Sequence, residues 1–506
     1  EDHSSSDTEA SNSLVSIDIT SGAINTLHQG YDFYSSPRIS RDGNKLAWLC
    51  WNHPNMPWDG TELWVADVDG QGLPANPLHV AGSDSISIFQ PEWSPDNTLY
   101  YVTDESGWWN LSRLDDSGAV AVTSLKSEFG LPQWVFGQTT YAFSGNTIFC
   151  SHITDGIGRL SRLDLNSLKL ADTGIQQNSF ASICADENTV CLIGASETTF
   201  TQVVTFNTDD LEAKVITGSC STDIDEGYIS TGKGFCFDTR HADKAYAIYY
   251  PPLNQDHEAP AGELPPLIVL CHGGPTGMAD ASLDLRKQFW TSRGFAILDV
   301  NYSGSTGYGR KYRDRLKYKW GVRDVEDVCD AAHYFAGKGI VDKNRLIIKG
   351  SSAGGYTVLA ALTFHNTFAC GASYYGISDL EALFDDTHKF ESRYTDLLVG
   401  SYPEQKQIYY DRSPIHFTDQ LSCPVIFFHG MVDRVVPPSQ AEKMVAAIKD
   451  KGIAVSYVPF DNEQHGFRHA STIKTALDAE LYFYAVIFGF KPAGRLLTIQ
   501  IENIDS

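Results

Sequence analysis

The stretch Leu346-Ile347-Ile348-Lys349-Gly350-Ser351-Ser352-Ala353-Gly354-Gly355-Tyr356-Thr357-Val358-Leu359-Ala360-Ala361-Leu362 decides the fold of the second half of this 506-residue chain. A β-branched apolar run enters a Gly-x-Ser-x-Gly turn, and an apolar run of helix formers leaves it. A serine in that position occupies a tight, strained turn between strand and helix. The flanking glycines let strand and helix approach each other. The hydroxyl is left exposed at the carboxyl edge of a sheet, where a helix N-terminus favours developing negative charge. Ser352 is therefore the candidate nucleophile. The five-residue motif alone is of moderate specificity, and its strand–turn–helix setting gives it weight.

Outward from this elbow, apolar strand-like runs alternate with amphipathic helical stretches. Strands are expected at 266–270, 295–300, 345–349, 425–428 and 455–458, and helices at roughly 322–337, 353–365 and 439–451. Ser439-Gln440-Ala441-Glu442 reads as a capping box opening the last of these helices. Such alternation predicts an α/β-hydrolase domain, with a doubly wound, mostly parallel sheet and helices on both faces. The proline-rich, acidic stretch 252–265 is expected to be a surface loop.

A serine nucleophile needs a base, and in this fold the chain order is serine, acid, histidine. Asp433, in Phe428-His429-Gly430-Met431-Val432-Asp433, follows one apolar strand. His465, in Asn462-Glu463-Gln464-His465-Gly466-Phe467, follows the next. Both fall at the same sheet edge as Ser352, so His465 is the expected base and Asp433 its orienting acid. Two other histidines compete. His469 is expected inside the following helix, and His429 precedes the acid in the wrong order. For the oxyanion hole, one donor is the Ala353 N–H. The other comes from His272-Gly273-Gly274-Pro275, at the end of the strand 266–270, with Gly274 favoured.

The first half, to about residue 225, has a different rhythm. Short alternating runs are separated by turn residues, and four related phrases recur. They are Ser36-Pro37-Arg38-Ile39-Ser40-Arg41-Asp42-Gly43, Gln90-Pro91-Glu92-Trp93-Ser94-Pro95-Asp96, Leu131-Pro132-Gln133-Trp134 and Ala181-Ser182-Ile183-Cys184-Ala185-Asp186. One phrase per roughly 40–50 residues, with several short strands each, predicts an all-β propeller domain. The expected division is 1–235 for the propeller, 236–490 for the hydrolase and 491–506 for a C-terminal tail. Four or so blades are visible. The start, Glu1-Asp2-His3-Ser4, has neither methionine nor an apolar segment, so it is not read as a signal peptide. It reads as mid-propeller, with one or more blades expected before it.

Bulk properties exclude several function classes. A net charge of −25 disfavours nucleic acid and anionic membranes as partners. No apolar run reaches transmembrane length. Ten cysteines without a C-x-x-C pair read as buried thiols in a reducing compartment, which places the protein in the cytoplasm. No metal site and no cofactor is expected.

Taken together, the motifs resemble the prolyl oligopeptidase family of serine peptidases, in particular its acylaminoacyl peptidase and dipeptidyl aminopeptidase-like branch. The residues carrying the resemblance are His272-Gly273-Gly274-Pro275, Asn301-Tyr302-Ser303-Gly304-Ser305-Thr306-Gly307-Tyr308-Gly309, the elbow 350–355, His429-Gly430 with Asp433 and Val436-Pro437, and His465-Gly466-Phe467. In the first half, Pro54-Asn55-Met56-Pro57-Trp58-Asp59 is similar to a blade motif of that branch. The resemblance implies a propeller over the hydrolase mouth and short peptides, rather than folded proteins, as substrates. It further implies a specificity pocket with Phe390 as aromatic wall, completed by Tyr356 and Leu383, which favours an apolar residue before the scissile bond. Arg434 stands where the family usually has a second acidic residue, and is expected either to contact substrate carbonyls or to pair on the surface. The acidic pair that anchors a free substrate amine in dipeptidyl peptidases has no identifiable counterpart. The expected activity is hydrolysis of peptides through an acyl-enzyme. The alternatives are a carboxylesterase with the same triad and a propeller-based interaction protein with a vestigial hydrolase half. A homo-oligomer is compatible with the sequence.

Overall fold

A computed structural model describes residues 1–4, 9–220, 224–385, 387–494 and 497–504. The chain divides into two compact units. The first comprises Glu1–Ser221 with Thr306–Tyr312 and His388–Leu397, and the second Thr222–Ser305 with Arg313–Thr387 and Leu398–Ser506.

Among the described residues, the first unit contains four four-stranded antiparallel blades and a two-stranded sheet, Ser13–Ile17 with Ile24–Gln29. Each blade opens on the strands Phe33–Ile39, Ile88–Trp93, Tyr141–Ser144 and Ser179–Ala185 respectively. The recurring phrases have a physical basis in three of these strands. Ser36, Gln90 and Ser182 adopt positive φ, and the strand register slips at each of them. Each phrase is therefore a β-bulge, which bends the strand and re-aims its side chains. The third phrase is different, because Leu131-Pro132-Gln133-Trp134 lies in irregular chain before its blade begins at Tyr141. Its Pro-Gln-Trp echoes the second phrase without occupying the equivalent position. Between blades, apolar faces meet. Ala47, Leu49 and Leu63 of the first blade pack with Ile88, Leu99 and Tyr101 of the second. Two segments from later in the sequence complete this unit. Arg310 donates to the carbonyls of Asp59 and Ser85 and to the Asp104 carboxylate, and the Gly309 N–H donates to Glu128 at 2.9 Å.

The second unit is built on an eight-stranded sheet in the order Lys233–Asp238, Lys244–Tyr250, Ala296–Asn301, Leu267–Cys271, Leu346–Ser351, Cys370–Tyr374, Val425–Gly430, Val455–Phe460. The first two strands pair antiparallel, and the six from Ala296–Asn301 onward are parallel. The central strands are continuous apolar runs because both of their faces are covered. Ile268, Ile297, Ile347, Ala372, Ile426 and Phe428 share a buried cluster with Trp290, Phe483 and Tyr484 from the helices. Residues 497–504 return to the last strand, where Glu502 bridges Val455 and the Gln500 carbonyl accepts from Ser456. An exposed sheet edge is partly covered in this way.

Two local expectations are corrected. The helix Ser439–Asp450 has Pro438, not Ser439, as its N-cap, and no side-chain capping bond forms. Ser439 is already helical, so its hydroxyl is not placed to serve the free N–H groups of the first turn. The cysteines are all free thiols, but not uniformly buried. Cys50, Cys150, Cys271, Cys329 and Cys370 are buried, whereas Cys184, Cys220 and Cys236 are exposed. Among the described residues, no helix is long and apolar enough to cross a membrane and no His, Cys, Asp and Glu cluster could hold a metal ion.

Candidate active site

The strand Leu346–Ser351 ends one residue before Ser352, and the helix Ala353–Phe364 begins one residue after it. Ser352 is left at φ 55° and ψ −124°, outside the ordinary regions for a non-glycine residue. The turn is this tight because its glycines carry no side chain. A Cβ on Gly354 would stand 2.1 Å from the Cys271 carbonyl oxygen, and one on Gly350 would stand 2.3 Å from the Gly354 oxygen. The Ser352 N–H is fixed by donating to the Tyr374 carbonyl at 3.0 Å.

Asp433 and His465 each follow the end of a neighbouring parallel strand, and the three side chains meet. His465 Nε2 lies 2.9 Å from Ser352 Oγ, and His465 Nδ1 lies 2.8 Å from Asp433 Oδ2. The other Asp433 oxygen accepts the N–H groups of Val435 and Val436, at 2.8 and 3.0 Å. Burial alone would raise this carboxyl. The hydrogen bond and charge of His465, with the Val436 and Val435 N–H groups, outweigh it and hold Asp433 below the usual carboxylate range. An ionised Asp433 is what keeps Nδ1 protonated and Nε2 free to accept from serine.

The competing histidines have other tasks. His429 is fully buried, with Nε2 2.8 Å from the Val436 carbonyl, and burial lowers its pKa. His469 is the N-cap of the helix Ala470–Phe488 rather than a member of it, and its Nδ1 lies 2.8 Å from Glu463.

Gly273 and Gly274 lie beside the elbow. A Cβ on Gly273 would stand 3.6 Å from Ser352 Cβ, and Gly274 has a φ of 119° that favours glycine. Their loop is held by His272, whose Nε2 is 2.7 Å from Ser305 Oγ and whose ring stacks on Tyr302 at 4.3 Å. Ala353 is buried at the first turn of the elbow helix.

The residues assigned to a specificity pocket do not come together in one unit. Tyr356 is fully buried, with its hydroxyl donating to the Arg412 carbonyl at 2.9 Å and its ring 4.7 Å from Trp320. That makes it a core residue of the second unit. Leu383 is half-buried in the short helix Leu380–Asp385. Phe390 belongs to the first unit, with its ring edge-on to Phe33 at 5.8 Å and to Phe136 at 6.0 Å. Arg434 is exposed next to Asp433.

Two residues near the triad escaped the sequence reading. Tyr375, at φ 40°, sets its ring 4.8 Å from His465. Glu463 is buried and accepts the N–H groups of Arg468 and His469, each at 3.0 Å, clamping the loop that carries His465. Their only sequence signal is adjacency to a motif.

Residues 281–491 match the model of the prolyl oligopeptidase family. Among curated proteins, the chain is 33% identical over 236 residues to dipeptidyl peptidase family member 6 of Caenorhabditis elegans, covering 43% of this chain and 32% of that protein. It is 30% identical over 215 residues to an acylamino-acid-releasing enzyme of Arabidopsis thaliana, covering 40% and 28%. The match thus spans about a third of the length of these curated relatives. Among solved structures, a Mycobacterium tuberculosis puromycin-hydrolyzing peptidase superposes with a TM-score of 0.92 at 40% identity, covering 96% of this chain and 74% of that one. Its similarity runs through both units rather than the hydrolase half alone, and the chain belongs to the prolyl oligopeptidase family.

Proposed function

We propose that the chain is a serine peptidase that cleaves amide bonds of short peptides through an acyl-enzyme, acting as an acylaminoacyl- or dipeptidyl-peptidase-like enzyme. The observation that carries this reading is the continuous relay from Ser352 Oγ through His465 to Asp433, with links of 2.9 and 2.8 Å. The complete relay argues against a vestigial hydrolase half, and the peptidase relatives argue against a carboxylesterase.

In the first half-reaction, Ser352 Oγ forms a bond to the scissile carbonyl carbon while its proton passes to His465 Nε2. The carbonyl oxygen gains the negative charge. The N–H groups of Ala353 and Gly274 are the proposed donors to it. The C–N bond then breaks as His465 returns its proton to the leaving amine, and the acyl group stays on Ser352. Water repeats the sequence, giving His465 a proton, and collapse restores Ser352 and releases the acid. Asp433 remains ionised throughout and stabilises the imidazolium.

Preference for an apolar residue before the scissile bond, with Phe390, Leu383 and Arg434 as contacts, remains part of this proposal, whereas Tyr356, buried against Trp320, is left to the core. So does a cytoplasmic site of action, which the ten free thiols support. The test is labelling by a fluorophosphonate probe together with cleavage of a peptide library whose members have free or blocked amines. Expected results are labelling at Ser352 and cleavage of short peptides. An unlabelled, inert protein would overturn the reading, and the preference for a free or blocked amine would separate the dipeptidyl from the acylaminoacyl type.

A further inference from the structure

A cavity of about 510 Å³ lies wholly within the second unit, against the loops that carry the triad. We propose that it receives the leaving-group side of the substrate, and that it selects an amine bearing an aromatic or apolar side chain and no anionic group. This inference rests on the peptidase reading above and deepens it.

Position is the first argument. Lys349, Gly350 and Ser351, the end of the strand that delivers Ser352, all line the cavity. The remaining approach to the triad is made by Tyr375 and by Gly466-Phe467, the two residues after His465. The Tyr375 ring stands edge-on to His465 at 4.8 Å and to Phe467 at 5.3 Å. His465 itself does not line the cavity, but the Tyr375 ring that does stands against its imidazole. The group nearest that imidazole when the C–N bond breaks is the departing amine, because His465 protonates it. The oxyanion sits on the other side, toward Ala353 at the helix N-terminus.

Charge is the second argument. Every cation lining the cavity already has a carboxylate. Lys287 is 2.8 Å from Asp299, Lys349 is 2.6 Å from Glu480, and Arg286 is 2.8 Å from Asp284. An anionic ligand would find each of these cations already paired and would lose its hydration. Trp290, Phe467, Tyr375 and Leu477 supply apolar and aromatic wall, and Ser351 supplies a hydroxyl. Size is the third argument, since the volume falls within the range of small-molecule sites.

The experiment measures partitioning of the acyl-enzyme between water and added amines. An acceptor amine must bind where the leaving amine departs. Phenylalaninamide is expected to capture the acyl group with saturation, whereas glutamate and ammonia at equal concentration capture it poorly, by roughly tenfold or more. Leu477→Trp and Ile473→Trp narrow the cavity from the helix Ala470–Phe488. In these variants, capture of phenylalaninamide and kcat/KM for substrates with aromatic leaving residues should fall by about tenfold, while primary-amide substrates stay within about twofold. Probe labelling verifies the intact elbow. Equal capture of glutamate and phenylalaninamide by the unaltered protein would overturn the proposal, with or without folded variants. So would variants that label normally and lose both substrate types equally. Absence of labelling in the unaltered protein would instead remove the peptidase reading beneath it.

Discussion

Ser352 and Gln90 are non-glycine residues held at positive φ, 55° and 45°, one at the elbow of the mixed sheet and the other in the opening strand of a blade. Such backbone costs about 1–3 kcal/mol and persists only where the surroundings enforce it. In the blade, the slip between Phe89 and Glu92 turns the Gln90 side chain toward the next blade. There its Oε1 accepts the Thr140 N–H at 2.7 Å, and its Nε2 donates to the Tyr141 carbonyl at 2.8 Å. The strained residue is neutralised by its own hydrogen bonds and serves architecture. At the elbow, the strained residue offers its hydroxyl outward, and neighbouring glycines absorb the crowding. The same local geometry makes a joint in one region and a reactive group in the other.

The comparison breaks most sharply when the side chains are removed. Ser352→Ala should abolish peptide cleavage and probe labelling, a loss on the order of 10⁶-fold in kcat, with an unchanged thermal midpoint. The Asp433–His465 bond of 2.8 Å does not depend on the serine. Labelling that persists and maps to Ser351 would show that the elbow was assigned one residue out. Asp433→Asn should cost about 10⁴-fold, because an amide no longer holds Nδ1 protonated. The measurement is kcat at neutral pH, and a loss under tenfold would mean that another acid orients His465.

Stability effects follow. Gly354→Ala forces a Cβ to 2.1 Å from the Cys271 carbonyl, a backbone atom that cannot swing away. The hydrolase unit should lose about 1–3 kcal/mol, with activity falling as the elbow shifts. Gln90→Ala leaves the buried Thr140 N–H and Tyr141 carbonyl short of partners and should cost a similar amount, about 1–3 kcal/mol. Probe labelling of the folded Gln90 variant should be normal. Thermal unfolding followed alongside labelling separates the two, and a Gln90 variant that folds but fails to label would collapse the distinction between joint and reactive group.

The difference also explains what the sequence made legible. The elbow and triad could be read because each residue sits at the end of an apolar strand, and parallel strands bring their carboxyl ends to one edge whatever the intervening chain does. Three of the four blade phrases could be read because the bulge repeats. The third could not, since Leu131-Pro132-Gln133-Trp134 copies the letters of a bulge in a segment that forms no strand. The assigned specificity residues are divided between the two units, with Tyr356 in the core of the second, for a different reason. Phe390 packs with Phe33 and Phe136, more than 250 residues earlier, and nothing in its local sequence encodes that partnership. Tyr356 follows the nucleophile by four positions, one turn along the helix, which turns it toward Trp320 and the interior. Glu463 was passed over because a carboxylate two residues before a histidine has no pattern of its own.

Glu463 sharpens the comparison at its smallest scale. Like Gln90, it accepts two backbone N–H groups from a neighbouring segment, those of Arg468 and His469 at 3.0 Å. Gln90 does so as a neutral amide and Glu463 as a carboxylate. Burial alone would raise the Glu463 carboxyl, but the Arg468 and His469 N–H groups, with the Thr472 hydroxyl and the His469 side chain, outweigh it and hold it at about 2. In the unfolded chain a glutamate titrates near 4.3. The folded state therefore binds this proton less readily than the unfolded state. The stability that Glu463 contributes is complete above about pH 4.3 and is lost as pH falls toward 2. Glu463→Gln converts the clamp to the Gln90 kind, able to accept the same bonds without a charge. The variant should melt lower than the parent at neutral pH, and the gap should close through the window between pH 4.3 and 2, where the parent gains its proton. Melting curves of the two proteins at half-unit steps from pH 7 to 2 would measure it. A gap that stays constant to the lowest pH would mean that shape, rather than charge, makes the clamp.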